Sequence, residues 1–397
     1  MFKLNIREVS YALSEALDFV GIDDLFHGKR VAYMSSEICK YLGYSQSKID
    51  DIINIGMLHD CGVSNTDVHH SLVTELDWDG SNNHCVRGEK LLKSVHLYAQ
   101  YAEIILYHHT HWNILKNLEI DEEVKRFANI ILLTDRVDAL RAQGKSNQEI
   151  YDVLNSQRDK MFKSEFVSIF LEVAQPESFW FYQDVENLEL ILHEWISQEP
   201  VIEYSFKFIK EIAMMFSNIV DAKSKFTSEH STNVSKLSIF IAKKMNVPQE
   251  KIDILELAAL LHDLGKLRVA DNILEKKGPL NESERLIMDK HGFDSEMILR
   301  KVNAFKDIAT LASSHHEKLN GTGYPYQKNA DSLSLESRIL TICDIFQALI
   351  QKRPYRKKLK EEKIFEIMDK MAHNGEIDIL VYDVLKQNLN EAYLLAC

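Results

Sequence analysis

Apolar residues recur at three- and four-residue intervals along most of the chain, a period that predicts helices rather than strands. The stretch KIDILELAALLHDLGK (251–266) places apolar side chains on every turn, with Gly265 as its terminator. The stretches ILYHHTHW (105–112), FANIILLTDRVDALRAQ (127–143), TNVSKLSIFIAKKM (232–245) and SRILTICDIFQALI (337–350) keep the same period. No segment alternates apolar and polar positions for long enough to predict a sheet, and only 6 prolines interrupt the chain. The expectation is an all-α fold. The pattern breaks at QPESFWFY (175–182) and again at SQEP (197–200). These breaks place a boundary near 195–205, with one domain over residues 1–200 and a second over 201–397, opened by a helix from Glu203 to Lys223.

The length of 397 residues suits two domains of roughly 150–200 residues each. With 45% hydrophobic and 27% charged residues the composition is that of a soluble globular protein. No apolar run approaches the ~20 residues that span a bilayer, and the amino terminus lacks the basic-then-apolar layout of a secretion signal. The 5 cysteines (Cys39, Cys61, Cys85, Cys343, Cys397) are scattered and odd in number, which argues for free thiols in a reducing compartment. A cytoplasmic protein without a membrane partner is expected. The net charge of −13 argues against binding a DNA or RNA polymer. A small anionic substrate stays open, because bound metal ions reverse the local sign of charge.

Candidate chemistry comes from a string of metal-ligand residues that occurs twice. His27, His59, Asp60, His84, His108, His109 and Asp135 are followed by His230, His262, Asp263, His291, His315, His316 and Asp344. The offset between copies is 203 for the first three, 207 for the next three and 209 for the last. Ten of the 16 histidines lie in these two sets. Within a helix, the neighbours His262 and Asp263 point about 100° apart, so both serve one compact site only if the carboxylate bridges two ions. Seven nitrogen and oxygen ligands exceed what one four-coordinate zinc takes. The economical expectation is two divalent ions, with iron or manganese first and nickel, cobalt or zinc as alternatives. Such a centre suits attack on a phosphate diester. The isolated histidines His69, His70, His96, His111, His193 and His373 match nothing and are expected to be ordinary surface or packing residues. The cysteines beside ligands (Cys61, Cys85, Cys343) are expected to be small buried hydrophobes.

Around the second set stand FTSEHSTNV (226–234), HDLGK (262–266), KHGFDSEMIL (290–299), HHEKLNGTGYP (315–325), RILTICDIFQAL (338–349) and RPYR (353–356). In this order they resemble the HD-GYP family of cyclic dinucleotide phosphodiesterases, a branch of the HD superfamily, over residues 205–390. The resemblance implies tandem HD-type helical domains with the catalytic one second. It implies that the seven residues from His230 to Asp344 hold the metals, with Asp263 as bridge. Lys266 would neutralise a phosphate oxygen, and Arg353 and Arg356 would contact substrate phosphates. Gly321, Gly323, Tyr324 and Pro325 would form the GYP loop, which supports the site and faces signalling partners. The implied substrate is cyclic di-GMP, opened to pGpG and GMP, slightly ahead of 3′,3′-cyclic GMP-AMP, in bacterial second-messenger signalling. Three departures stand out: Asn320 and Gln347 replace usual aspartates, and Phe226 stands where members with a third metal carry Glu, which predicts two metals. Gln347 and Asn320 keep a second reading alive, a catalytically weak sensor or a scaffold acting through the GYP loop.

The first set has similar surroundings: HGKRVA (27–32), MLHDCG (57–62), HCVRGEKLL (84–92), HHTHWN (108–113) and TDRVDAL (134–140). Asp138 stands here where the second copy has Gln347. Val63 stands at the position of Lys266, and neither a GYP loop nor RPYR follows. The first domain is therefore expected to be a divergent HD-GYP-like regulator or scaffold, its seven residues a possible second metal site whose occupancy the sequence leaves open, with the two copies packing as an internal pseudo-dimer.

Overall fold

The computed structural model describes residues 1–21, 26–63, 65–76, 80–223, 229–351 and 359–396. Two units emerge, Asn5–Ile202 and Glu203–Cys397, with Met1–Leu4 grouped with the second. The grouping follows from a two-stranded sheet that the periodicity did not announce: β1 (Phe2–Leu4) pairs with β2 (Ile202–Tyr204). Strands of three residues are too short to show an alternation. All else of regular structure in the described residues is helical.

In the first unit the site rests on α1 (Ile6–Asp18), α2 (His27–Tyr41), α3 (Gln46–Leu58), α4 (Asn82–Lys93), α5 (Ala102–Tyr107) and α6 (Glu122–Ala142). In the second it rests on α7 (Phe206–Asp221), α8 (His230–Lys244), α9 (Gln249–Leu261), α10 (His291–Leu299), α11 (Lys306–Ala312) and α12 (Leu335–Ile350). The two sets correspond one to one, and α8 and α9 repeat the bounds of α2 and α3 at the offset of 203. Caps written in the sequence start these helices. The Ser205 and Ser334 hydroxyls accept from the Phe208 and Ser337 amides, and Asp121 accepts from Glu123. Helix α6 also carries Glu122 and Glu123 in its first turn and Arg141 in its last, matching the helix dipole.

Helix α9 is the axis of the second unit. Leu255, Leu257, Ala258, Ala259, Leu260 and Leu261 are all buried, so the helix is covered nearly all round, by α7, α8, α11 and α12. Helix α3 holds the same place in the first unit, against α1, α2 and α6.

Four helical expectations are corrected, the first being the opening helix of the second domain, which runs from Phe206 to Asp221 with the strand Ile202–Tyr204 ahead of it rather than from Glu203 to Lys223. The run 251–266 does not continue to Gly265: α9 stops at Leu261, and Leu264–Arg268 form a 3₁₀ turn. The run 105–112 is broken at His108–His109, between α5 and a short helix at Trp112–Leu115. The break at 175–182 contains a one-turn helix, Glu177–Phe181. In the runs 251–266 and 105–112 a helix end stands where the apolar period continues, because His262 and His108 each use a free end carbonyl. Among the described residues no helix is long and apolar enough to cross a membrane. Cys39, Cys61, Cys85 and Cys343 are free and buried.

Candidate metal centre

The histidines are presented by helix ends. The last carbonyls of a helix have no intrahelical donor, and the ligand histidines use them. His262 Nδ1 donates to Ala259 O at 2.8 Å, His291 Nδ1 to Met288 O at 2.5 Å and His315 Nδ1 to Ala312 O at 2.6 Å, each three residues back. His230 Nδ1 donates to the Gln347 side-chain oxygen at 2.5 Å. With the proton held on Nδ1, the Nε2 atoms of His262, His291 and His315 carry bare lone pairs facing inward.

These lone pairs meet in two nests. In one, His230 Nε2 and His262 Nε2 lie 3.3 Å apart, and each is 3.4 Å from Asp263 Oδ2. Asp344 Oδ1 stands 3.3 Å from His230 and 3.8 Å from His262. In the other, His291 Nε2 and His315 Nε2 lie 3.1 Å apart, with Asp263 Oδ1 3.5 Å from His291 and 3.9 Å from His315. His316 completes this nest. A tetrahedron with bonds of 2.0–2.1 Å has edges of ~3.4 Å, which these separations approach. Asp263 thus offers one oxygen to each nest, and its Oδ1 is buried without a hydrogen-bond donor among the described residues. Paired lone pairs and an orphaned carboxylate oxygen are costly without a cation between them. The residues fit two metal ions bridged by Asp263.

Electrostatics point the same way. Burial pushes His291 down to about 3 and His315 to about 4, and lowers His262 and His316 as well. Asp263 and Asp344 are buried yet stay well below the usual carboxylate range, through the charges and hydrogen bonds of their histidine neighbours and Lys266. His230 is the exception. Burial lowers it, but its hydrogen bonds to Asp263 and Asp344 win and hold it at about 9.

Lys266 Nζ lies 2.5 Å from Asp263 Oδ2, at the edge of the first nest. The Tyr324 ring stands 4.7 Å from that of His316, and the Tyr324 amide donates to His316 O. The loop is held from below by buried Glu317, which accepts from the Tyr326 and Lys328 amides at 2.7 and 2.9 Å. Gly323 is required there: a Cβ would sit 2.4 Å from Lys318 N. Asn320 is exposed and accepts from Thr322 within the loop, away from the nests. Arg353, Arg356 and Phe226 lie outside the described residues.

The first unit repeats the arrangement with changes. His59 Nδ1 donates to Gly56 O and His108 Nδ1 to Ile105 O. His27 Nδ1 donates to Asp138 at 2.8 Å, and Arg30 clamps the same carboxylate through Nε at 2.6 Å and Nη2 at 2.8 Å. His27, His59 and Asp135 form one nest, and Asp60, His84, His108 and His109 the other. Asp60 spans both, with Oδ1 3.4 Å from His84 and Oδ2 3.6 Å from His59. Val63 supplies no counterpart of Lys266. Arg136 instead lies on Asp135, Nη2 to Oδ2 at 2.8 Å.

Motif matching passed over some of these groups. Arg136 lies inside TDRVDAL (134–140) without a role in that motif. An acid at offset 203, Asp18 and Asp221, keeps step with the ligands but belongs to no motif. Asp18 pairs with fully buried Lys29 at 2.8 Å. Asp221 accepts from Ser231, and burial pushes it up to about 7. His69, expected at the surface, is buried and lines a small cavity with His27 and His59.

An all-helical unit that clusters histidines and a His-Asp doublet at helix ends defines an HD domain. HD-domain family models match residues 25–140 and 214–381. The 3′3′-cGAMP-specific phosphodiesterase 1 of Vibrio cholerae serotype O1 is 35% identical over 408 residues, spanning 100% of this chain and 94% of the relative. Phosphodiesterase 3 of the same name and organism is 31% identical, over 77% of this chain and 66% of the relative. A cyclic di-GMP phosphodiesterase response regulator of Xanthomonas campestris is 32% identical over 37% of this chain and 39% of its own. A solved cyclic GMP-AMP specific phosphodiesterase of V. cholerae shares the fold, with TM-score 0.67, 24% identity and 98% of both chains covered. The chain belongs to the HD-GYP family of cyclic dinucleotide phosphodiesterases, which are metal-dependent, and carries two HD domains in tandem.

Proposed function

We propose that hydrolysis takes place in the Glu203–Cys397 unit, at a dinuclear centre of His230, His262, Asp263, His291, His315, His316 and Asp344, and that the substrate is 3′,3′-cyclic GMP-AMP. One observation carries the site: Asp263 gives one oxygen to each of two histidine nests. Two divalent ions there, iron or manganese before nickel, cobalt or zinc, would polarise a phosphoryl oxygen and make a nucleophile of water at neutral pH. The protein's own residues do the rest. The helix-end carbonyls and Gln347 fix the histidine tautomers. Lys266 meets the phosphate oxygen that gains charge as the P–O bond breaks, and Arg353 and Arg356 bind the phosphates. The substrate assignment departs from the motif-based preference for cyclic di-GMP. The relative that runs the length of this chain, both HD domains included, is named for cGAMP, whereas the cyclic di-GMP relative of X. campestris matches 37% of it. The Asn5–Ile202 unit, with Val63 for Lys266, is assigned a regulatory role.

The test is a product assay on manganese-loaded full-length protein with the two cyclic dinucleotides side by side. Faster cleavage of 3′,3′-cyclic GMP-AMP is expected. Two bound metals with neither substrate cleaved would sink the assignment. Lys266→Ala should retain metal and lose roughly 10²–10³ in turnover, the range for removing one transition-state donor, while Val63→Ala leaves turnover unchanged.

A further inference from the structure

Lys266 reaches Asp263 from the 3₁₀ turn Leu264–Arg268, not from a helix. Its side chain is a flexible four-carbon stem, so its aim depends on how firmly its backbone is held. The residues on either side of it are both tied down. Before it, the Gly265 amide donates to Ser295 Oγ at 2.8 Å, and that hydroxyl donates onward to His262 O at 2.8 Å. After it, Leu267 O accepts from Lys223 Nζ.

Lys223 follows α7 by two residues, its amide still bonded to Val220 O at 2.9 Å. Its side chain is 1% exposed. Burial pushes it down to about 8, and Asp271, 3.8 Å away, offsets part of that. An ammonium group is costly to bury, so a hydrocarbon would serve better if the place needed only packing. What the ammonium adds is a hold on the carbonyl of the residue next to Lys266.

The first unit supplies an internal comparison. Val63 stands at the position of Lys266, Val20 at that of Lys223 and Gly88 at that of Ser295, at the offsets of 203 and 207 that the ligands keep. The copy without the phosphate-facing lysine also lacks both side chains that hold the lysine's turn. Its own fully buried lysine, Lys29, pairs with Asp18 instead.

We propose that Lys223 is a positioning residue for phosphodiester hydrolysis: by holding Leu267 O it fixes the turn from which Lys266 meets the phosphate. The proposal rests on the role given to Lys266 above, and Lys223 acts only through that residue.

The experiment is a double-mutant cycle in manganese-loaded full-length protein, with Lys223→Met, Lys266→Ala and the pair, and 3′,3′-cyclic GMP-AMP as substrate. Lys223→Met should lower kcat roughly 10- to 10²-fold, the scale of a displaced catalytic group, with KM and metal content unchanged. In the Lys266→Ala background the same substitution should cost no more than about twofold. Amide hydrogen exchange over residues 264–269 should quicken in Lys223→Met while that of α8 stays the same. An equal loss in both backgrounds overturns the proposal, because Lys223 then acts by another route, and so does an unchanged kcat in Lys223→Met. If Lys223→Met does not fold, Lys223→Gln carries the same cycle; if neither folds, the residue serves the fold alone and the proposal falls. Full turnover in Lys266→Ala would take down the catalytic reading and this proposal together, a result distinct from equal losses.

Discussion

His27 and His230 hold equivalent places but lean on different chemistry. Behind His27 stands the charged pair Arg30–Asp138. At the same offsets behind His230 stand the neutral residues Asn233 and Gln347, both buried. Gln347, a departure from the family pattern when read alone, becomes half of a two-residue exchange that leaves the local charge unchanged. The prediction is non-additive. Asn233→Arg alone buries a guanidinium without a carboxylate and should lower both metal retention and melting temperature. Adding Gln347→Asp should recover most of the loss, with a coupling of ~1–3 kcal/mol. Strictly additive losses in a double-mutant cycle would show that the two positions act separately. The fourteen candidate ligand positions were legible residue by residue, because their spacing is a one-dimensional record. The exchange was not, since residues 233 and 347 lie on separate helices, α8 and α12, that pack together only in the fold.

At the scale of elements, the centre depends on helices stopping where their apolar period continues. The 3₁₀ turn after α9 brings Gly265 against α10, and a Cβ there would lie 2.1 Å from His291 O and 2.7 Å from Ser295 N. Gly62 meets His84 O in the same way, at 1.9 Å. Gly265→Ala should therefore push α10 and its histidine outward, costing at least about 1–3 kcal/mol as an overpacked core does. Thermal melting and metal content check this, and an unchanged Tm would contradict the contact. The helices themselves were readable from period and caps. Their ends at Leu58, Leu261 and Tyr107 were not, because what stops them is tertiary: a histidine that needs a free carbonyl and a glycine that admits a neighbour.

For the whole molecule, burial of so many histidines sets the response to acid. His84 and His315 are held near 4 and His108 and His291 near 3, in each case first by burial. The unfolded chain takes up protons near pH 6.5 that the folded chain refuses, so stability is lost as pH falls from about 6.5 toward 4. Each such histidine adds a slope of ~1.4 kcal/mol per pH unit within that window. His230, held near 9, works oppositely: its contribution is full below 6.5 and fades as pH rises through 9. The melting temperature of metal-stripped protein should fall steeply across the acid window, and a flat profile there would contradict the tautomers assigned to the two centres. By itself the sequence determined the helical class, the duplication, the candidate ligand set and the family, all of which are written in spacing and local pattern. Only the tertiary structure decided that Asp263 faces two nests, that Gln347 holds His230, and that His84 lacks, among the described residues, the acceptor His291 has. These depend on which atoms of distant residues meet, and sequence spacing carries no record of that.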